Sequence, residues 1–210
     1  VPPVMANATA TVTALPGYIG SAWGFRHEVR AEGALSLRAM LALAVAGGLA
    51  GAFLLTVTSN DAFEVMVPWL LLAATLLFAF APRLIPHLAA AGFGPTTSAA
   101  IIIGASIYGG YFNGGLGILL LAAFSLMGFT DLHAMNGLKN ILSALLSTAS
   151  ALTLALAGLV AWENALLLAA SATAGGFLGA HFARRLPDTP WLRAGIVVIG
   201  LAMTAAFFLT

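Results

Sequence analysis

A chain of 210 residues that is 61% hydrophobic and only 7% charged lacks the polar surface that a soluble globule of that size requires. Its net charge of +1 and its lack of cysteine exclude a basic nucleic-acid stripe, a disulfide scaffold, thiol catalysis and thiolate metal ligation. With a mean hydropathy of +1.03, 23 glycines and 9 prolines, it reads as a polytopic membrane protein whose helices pack closely and in places break.

A helix needs about 20 apolar residues to cross roughly 30 Å of hydrocarbon. Seven segments approach or exceed that need. The first, Val4–Phe25, is uncharged but carries Asn7, Thr9, Thr11 and Thr13, so one side is expected to face protein or water. Ala39–Ser59 and Val65–Ala81 follow, both free of charge. Thr96–Thr130 is longer, too short for two crossings but sufficient for two half-helices that enter and leave on one side. Ile141–Trp162, Ala165–Ala180 and Ala194–Thr210 complete the set. None alternates polar and apolar residues, which argues against an outer-membrane barrel.

The punctuation agrees with these bounds. Arg26-His27-Glu28, Asn60-Asp61, Pro82-Arg83, Asp131-Leu132-His133, Glu163-Asn164 and Arg184-Arg185 fall between segments. Trp23, Trp69, Trp162 and Trp191 stand near expected helix ends, where an amphipathic ring prefers headgroup depth.

The chain also repeats itself. Met5-Ala6-Asn7 resembles Ala134-Met135-Asn136, Gly47–Ala52 resembles Gly175–Ala180, and Pro68-Trp69-Leu70 resembles Pro190-Trp191-Leu192. The three matches keep one order and nearly one spacing, which points to two copies of a helical unit, residues 1–95 and 96–210. If Arg26, Arg30, Arg38 and Arg83 are cytoplasmic, an inverted second copy keeps Arg184, Arg185 and Arg193 on the same side, as the positive-inside rule favours. The glycine-rich stretch of the second copy has its counterpart before Val1, so a preceding hydrophobic segment is expected to be missing from this sequence. The expected fold class is an all-α integral membrane protein with two inverted repeats and a broken or re-entrant helix.

Two clusters carry the candidate chemistry. Tyr108-Gly109-Gly110-Tyr111-Phe112-Asn113-Gly114-Gly115-Leu116-Gly117 holds five glycines in a hydrophobic run, each costing a helix about 1 kcal/mol relative to alanine. A break there frees backbone N–H groups, which in a protein-lined cavity form an anion site. The competing reading is close helix packing through small residues. The second cluster is Asn136-Gly137-Leu138-Lys139-Asn140. Asn136 and Asn140 share a helical face, and Lys139 borders it. An intramembrane lysine costs about 2.5–3.5 kcal/mol, so it either serves a function or snorkels to water. Asn7 and Thr11 occupy the matching positions in the first copy, so two polar helix starts are expected to meet across the symmetry axis. Asp131 and His133 read as a helix cap, and the Gly-Gly-x-x-Gly-Ala stretches as packing surfaces. No ATP-binding loop or metalloprotease motif is present, so neither enzyme activity, metal nor cofactor is expected.

The motifs Tyr108–Gly117, Asp131–Asn140, Ala157–Val160 and Gly175–Ala180 resemble the TauE/SafE sulfite exporter family, over nearly all the second half and more loosely over Ala6–Ala52. That resemblance implies an inner-membrane permease of bacteria for small sulfur-containing anions such as sulfite or organosulfonates, linked to protons or ions. The substrate-binding set is then Lys139, Asn136, Asn140, Asn7 and Thr11, with Gly109, Gly110, Asn113, Gly114 and Gly115 at the break. Sulfite titrates near neutral pH, so its own protonation offers one route to coupling. The expected partners are the anion and the lipid bilayer, with no nucleic acid. The alternatives are a transporter of another small anion or metabolite and a non-transporting assembly subunit.

Overall fold

Hydrocarbon offers no partner to a backbone N–H or C=O, so a chain this apolar satisfies itself by coiling into helices. The computed structural model describes residues 1–27, 29–31, 33–89, 93–165, 168, 169, 171 and 190–209, and among them there is no strand. The helices are α1 (Pro3–Gly24), α2 (Leu37–Thr56), α3 (Asn60–Ala89), α4 (Pro95–Tyr111), α5 (Leu116–Leu126), α6 (Leu132–Leu156) and α7 (Pro190–Leu209). Local signals set several boundaries. Ser36 caps α2 by accepting from the Ala39 N–H at 3.3 Å, and Asp131 caps α6 by accepting from the Ala134 N–H at 3.3 Å. The cap reading of Asp131 therefore holds. Proline opens α1 and α4, where its missing N–H costs nothing.

Three spans among the described residues are long and apolar enough to cross a bilayer: Leu37–Thr56, Asn60–Leu77 and Ala134–Leu156. One expected detail changes. Trp69 is well inside α3, because that helix starts at Asn60 and its acidic first turns, with Asp61 and Glu64, precede the apolar run. The Trp69 ring is exposed and meets Phe208 of α7 edge-on at 5.1 Å. Most of Ala165–Ala180, with Gly175–Ala180, His181 and Arg184-Arg185, lies outside the described residues.

Contacts fix the directions of the helices. At one end of the bundle the Val4 N–H donates to Asn60 Oδ1 at 3.1 Å, and Val4, Ala8, Leu55, Phe63, Tyr111 and Leu154 share one buried cluster. That end therefore collects the starts of α1 and α3 and the finishes of α2, α4 and α6. At the opposite end Met40, Ile102, Phe124, Phe129 and Met135 form the second cluster. Arg30 pairs there with Asp131 at 3.2 Å, an exposed contact worth at most about 1 kcal/mol. α4 thus enters from the opposite end and α5 returns to it, a re-entrant hairpin as the length of Thr96–Thr130 required. α1 lies antiparallel on α6, with Ala8 near Leu154 and Thr9 Oγ1 accepting from the Ala161 N–H at 3.0 Å. α3 and α7 are antiparallel too: Trp69 meets Phe208, and a Cβ on Gly200 would strike Thr75.

Glycine sets how closely the central helices approach. A Cβ on Gly48 of α2 would come within 2.8 Å of the Leu146 carbonyl oxygen of α6. A Cβ on Gly110 of α4 would strike the Gly48 carbonyl and lie 2.9 Å from its Cα. Backbone against backbone leaves no flexible side chain to yield. Gly104, on the same helix, has nothing within 4 Å of its Cβ position. Gly110→Ala is expected to destabilise the fold by about 1–3 kcal/mol, whereas Gly104→Ala gains up to about 1 kcal/mol of helix propensity. Thermal melting of the two variants in detergent checks the contrast.

Candidate functional site

The site begins where α4 stops. Asn113 at φ 60° and Gly115 at φ 74° adopt the left-handed conformation, which asparagine and glycine tolerate best, and the chain reverses between Tyr111 and Leu116. Within the turn the Gly114 N–H donates to the Phe112 carbonyl at 2.8 Å. The Ile118 and Leu119 N–H groups then donate to the Gly115 carbonyl at 3.0 and 3.1 Å, which starts α5.

Side chains satisfy the freed carbonyls and hold the turn. Asn7 Nδ2 of α1 donates to the Tyr111 carbonyl at 2.8 Å. The Tyr18 hydroxyl, also on α1, donates to Asn113 Oδ1 at 3.2 Å. The Tyr108 hydroxyl donates to the Gly114 carbonyl at 2.7 Å. Thr11 is buried and donates to the Asn7 carbonyl at 3.1 Å, one turn back on its own helix. α1 therefore clasps the interruption from one side.

α6 approaches it from the other. Lys139 is half-buried and its Nζ donates to Asn136 Oδ1 at 3.0 Å. A Cβ on Gly117 would lie 3.5 Å from Lys139 Cδ, so the lysine stem runs along the first turn of α5. Asn140 is buried on the same helix. The positive end of α5 and an ammonium group thus converge inside the bundle. No acidic residue occurs in α1, α2, α4, α5 or α6, so the field there is uniformly suited to an anion.

Beyond Asn140, α6 carries further hydroxyls on several of its faces. Thr148, Ser150 and Thr153 each donate to the carbonyl four residues back, at 2.6, 2.8 and 2.9 Å. Ser143 and Ser147 are as buried as Ser150, yet their hydroxyls have no hydrogen-bond partner. A buried hydroxyl left unpaired costs about 1–3 kcal/mol. Ser98 of α4 is in the same condition near the opposite end of the bundle.

The structure sorts the expected residues. Asn7, Asn113, Gly114 and Gly115 meet at one turn, and Lys139 with Asn136 borders its α5 side. Gly109 and Gly110 are different: both lie inside α4, where a Cβ would meet Leu116 and Gly48 respectively. The interruption is confined to residues 112–115, and these two glycines act as packing positions. The expected meeting of Asn7 with Asn136 does not occur, because α1 and α6 are antiparallel. Asn7 is near the level of Leu154, and about 27 Å of helix separates Leu154 from Asn136. Tyr18 escaped sequence reading, since nothing local marks a tyrosine that will reach a distant turn, and Tyr108 stood in the candidate stretch without a role of its own. Ser143 and Ser147 were legible as continuations of the Asn136–Asn140 face.

Two cavities lie away from Lys139. One of about 220 Å³, lined by apolar residues such as Leu77, Ile101 and Leu119, sits among α3, α4 and α5. The other, of about 240 Å³, lies between Thr9 and Asn164 at the end where α1 begins.

A helical bundle with a re-entrant hairpin, interrupted in the apolar interior and flanked by a half-buried lysine, defines a polytopic membrane protein with the build of a transporter. The chain belongs to the sulfite exporter TauE/SafE family, whose model matches residues 1–207, and the fold accords with the membrane-transporter character of that family. A relative from Haemophilus influenzae, named "Probable membrane transporter protein", is 28% identical over 210 residues, covering 97% of this chain and 80% of its own. No solved structure matches the chain.

The left-handed backbone at residue 113 makes a direct test. Both Asn113→Gly and Asn113→Val lose the Tyr18 contact, but only valine also carries a Cβ branch into that conformation. Asn113→Val is expected to be about 1–2 kcal/mol less stable than Asn113→Gly, read as a lower melting temperature in detergent.

Proposed function

We propose that this protein is a secondary transporter that exports small sulfur-containing oxyanions, sulfite or a related organosulfonate, across the inner membrane of a bacterium. The observation that carries the reading is the run of the Lys139 stem along the first turn of α5, inside the bundle, on a helix that itself holds no acidic residue. A bare anion in hydrocarbon is prohibitive, so transport requires donors that replace part of its water shell. Lys139 supplies charge, and Asn136 orients it. Asn140, Asn113 and the Gly115 N–H supply hydrogen bonds, and Gly114 shapes the turn that presents them. Asn7 and Thr11 keep the turn in place from α1. No metal or cofactor is needed for this task.

The two-copy organisation, residues 1–95 and 96–210, belongs to the same proposal. Its support is that α1 and α6 are in contact and antiparallel, as are α3 and α7, and each pair consists of matched segments. An inverted duplication brings its mates together in this way, with the substrate between copies. Rocking of one copy against the other then opens the site to either side. Energy comes from a coupled proton or ion, or from protonation of the permeant itself.

Reconstitution into liposomes loaded with sulfite tests the reading. Lys139→Ala is expected to lower the initial efflux rate at least tenfold, a loss of about 1.4 kcal/mol or more, and Lys139→Arg to retain part of it. Unchanged efflux in Lys139→Ala overturns the site. Equal flux of acetate and sulfite overturns the sulfur specificity and leaves a general anion carrier.

A further inference from the structure

We infer that Ser143 and Ser147 of α6 form a second station for the permeant anion, one to two helical turns beyond Lys139. The inference rests on the transport reading above and extends it along the path. Both hydroxyls are almost fully buried, at 1% and 0% exposure, and neither has a partner. Their neighbours Thr148, Ser150 and Thr153 show what an idle hydroxyl does in this helix, which is to donate to the carbonyl one turn back. Ser143 and Ser147 leave that bond unmade and keep their donors for something else.

Their placement says what. Residues 136, 140, 143 and 147 follow the i, i+4, i+7 spacing of one helical face. That face continues to Ser150, whose hydroxyl oxygen lies 3.1 Å from the Gly48 carbonyl of α2 and shares its one proton between that oxygen and the Leu146 carbonyl, and to Leu154, which clusters with Val4 and Ala8 of α1. The two hydroxyls therefore stand on the side of α6 turned toward α1 and α2, the inner side of the bundle. A ladder of donors one turn apart, Asn136, Asn140, Ser143, Ser147, leads from the lysine toward the end where α1 begins.

Serine hydroxyls accept as readily as they donate, so a small cation has to be weighed against an anion. The charges decide. Lys139 is one turn from Ser143, and α1, α2 and α6 contain no carboxylate to offset it. A cation held there faces an uncompensated ammonium, whereas an oxyanion leaving Lys139 finds two further donors, each about one helical turn beyond the last. The station is for a small oxyanion.

Because the chain has no cysteine, single-cysteine variants report access without background. Ser143→Cys and Ser147→Cys, reconstituted in liposomes, are treated with an anionic sulfonatoethyl methanethiosulfonate and with its cationic trimethylammonium counterpart. The exposed Leu152 supplies the reference, as Leu152→Cys. The anionic reagent is expected to modify at least one of the two serine-position variants at least tenfold faster than the cationic one, a preference that Leu152→Cys lacks. Absence of labelling at both positions, with full labelling after denaturation, overturns the station. So does a preference for the cationic reagent. A second measurement guards against altered folding: Ser143→Ala/Ser147→Ala is expected to lower sulfite efflux at least fivefold. If that double variant instead melts at the same or a higher temperature with efflux intact, the hydroxyls are idle and the station is wrong. The outcomes separate from those for Lys139. Loss of efflux in Lys139→Ala with unreactive cysteines removes the station alone, and charge-selective labelling with full efflux in Lys139→Ala removes the lysine site alone.

Discussion

The fold turns on one constraint: a helix interrupted inside an apolar bundle exposes carbonyls and N–H groups that only the protein can satisfy. Residues 112–115 are that interruption, and much of the surrounding architecture answers it. Asn7 donates to the carbonyl at the end of α4, Tyr108 folds back onto Gly114, and Tyr18 meets Asn113. α1 is accordingly less oily than its length alone would suggest. Its polar residues are spent on the hairpin and on its own backbone, where Thr9 and Thr13 donate to Met5 and Ala10.

Close packing is the second half of the same solution. A re-entrant hairpin has no full span of its own to anchor it, so it relies on contact with α2 and α6. Gly47, Gly48 and Gly51 of α2 leave no side chain where that helix comes closest to α4 and α6. Lipid tails are as apolar as leucine, so the gain comes from fitted van der Waals contact and from backbone approach rather than from expelled water. The buried Leu138, Leu142 and Leu146 of α6 fill what the glycines leave open, against Leu116 and Leu120 of α5.

Much of this was legible in the sequence, and the rest was hidden for identifiable reasons. Charge-free runs locate helices because burying a charge in hydrocarbon is costly, and α2 and α4–α5 fall where those runs lie, whereas α6 begins nine residues before its run and takes Lys139 into the helix. The re-entrant form of Thr96–Thr130 followed from its length. What sequence spacing does not give is which glycine breaks and which packs. Gly109 and Gly110 carry the same local signal as Gly114 and Gly115, and only the neighbours Gly48 and Leu116 separate the two roles. Asn7 and Asn136 stand apart because α1 and α6 run antiparallel, which local similarity of sequence does not reveal. Trp69 was placed at a helix end for a related reason: the acidic turns before it were counted as a connection and are the start of α3.

The short return arm has a consequence for how the molecule is made. α5 has 11 residues, about 16 Å of helix, which is half of a bilayer's apolar thickness. Such an arm is too short to be threaded through and released into lipid as an independent stop-transfer segment. It reaches stable depth only when α1, already synthesised, offers Asn7 and Tyr18, and when α6, still to come, closes over it. The hairpin is therefore held at its depth by its neighbours, α1 through Asn7 and Tyr18 on one side and α6 on the other.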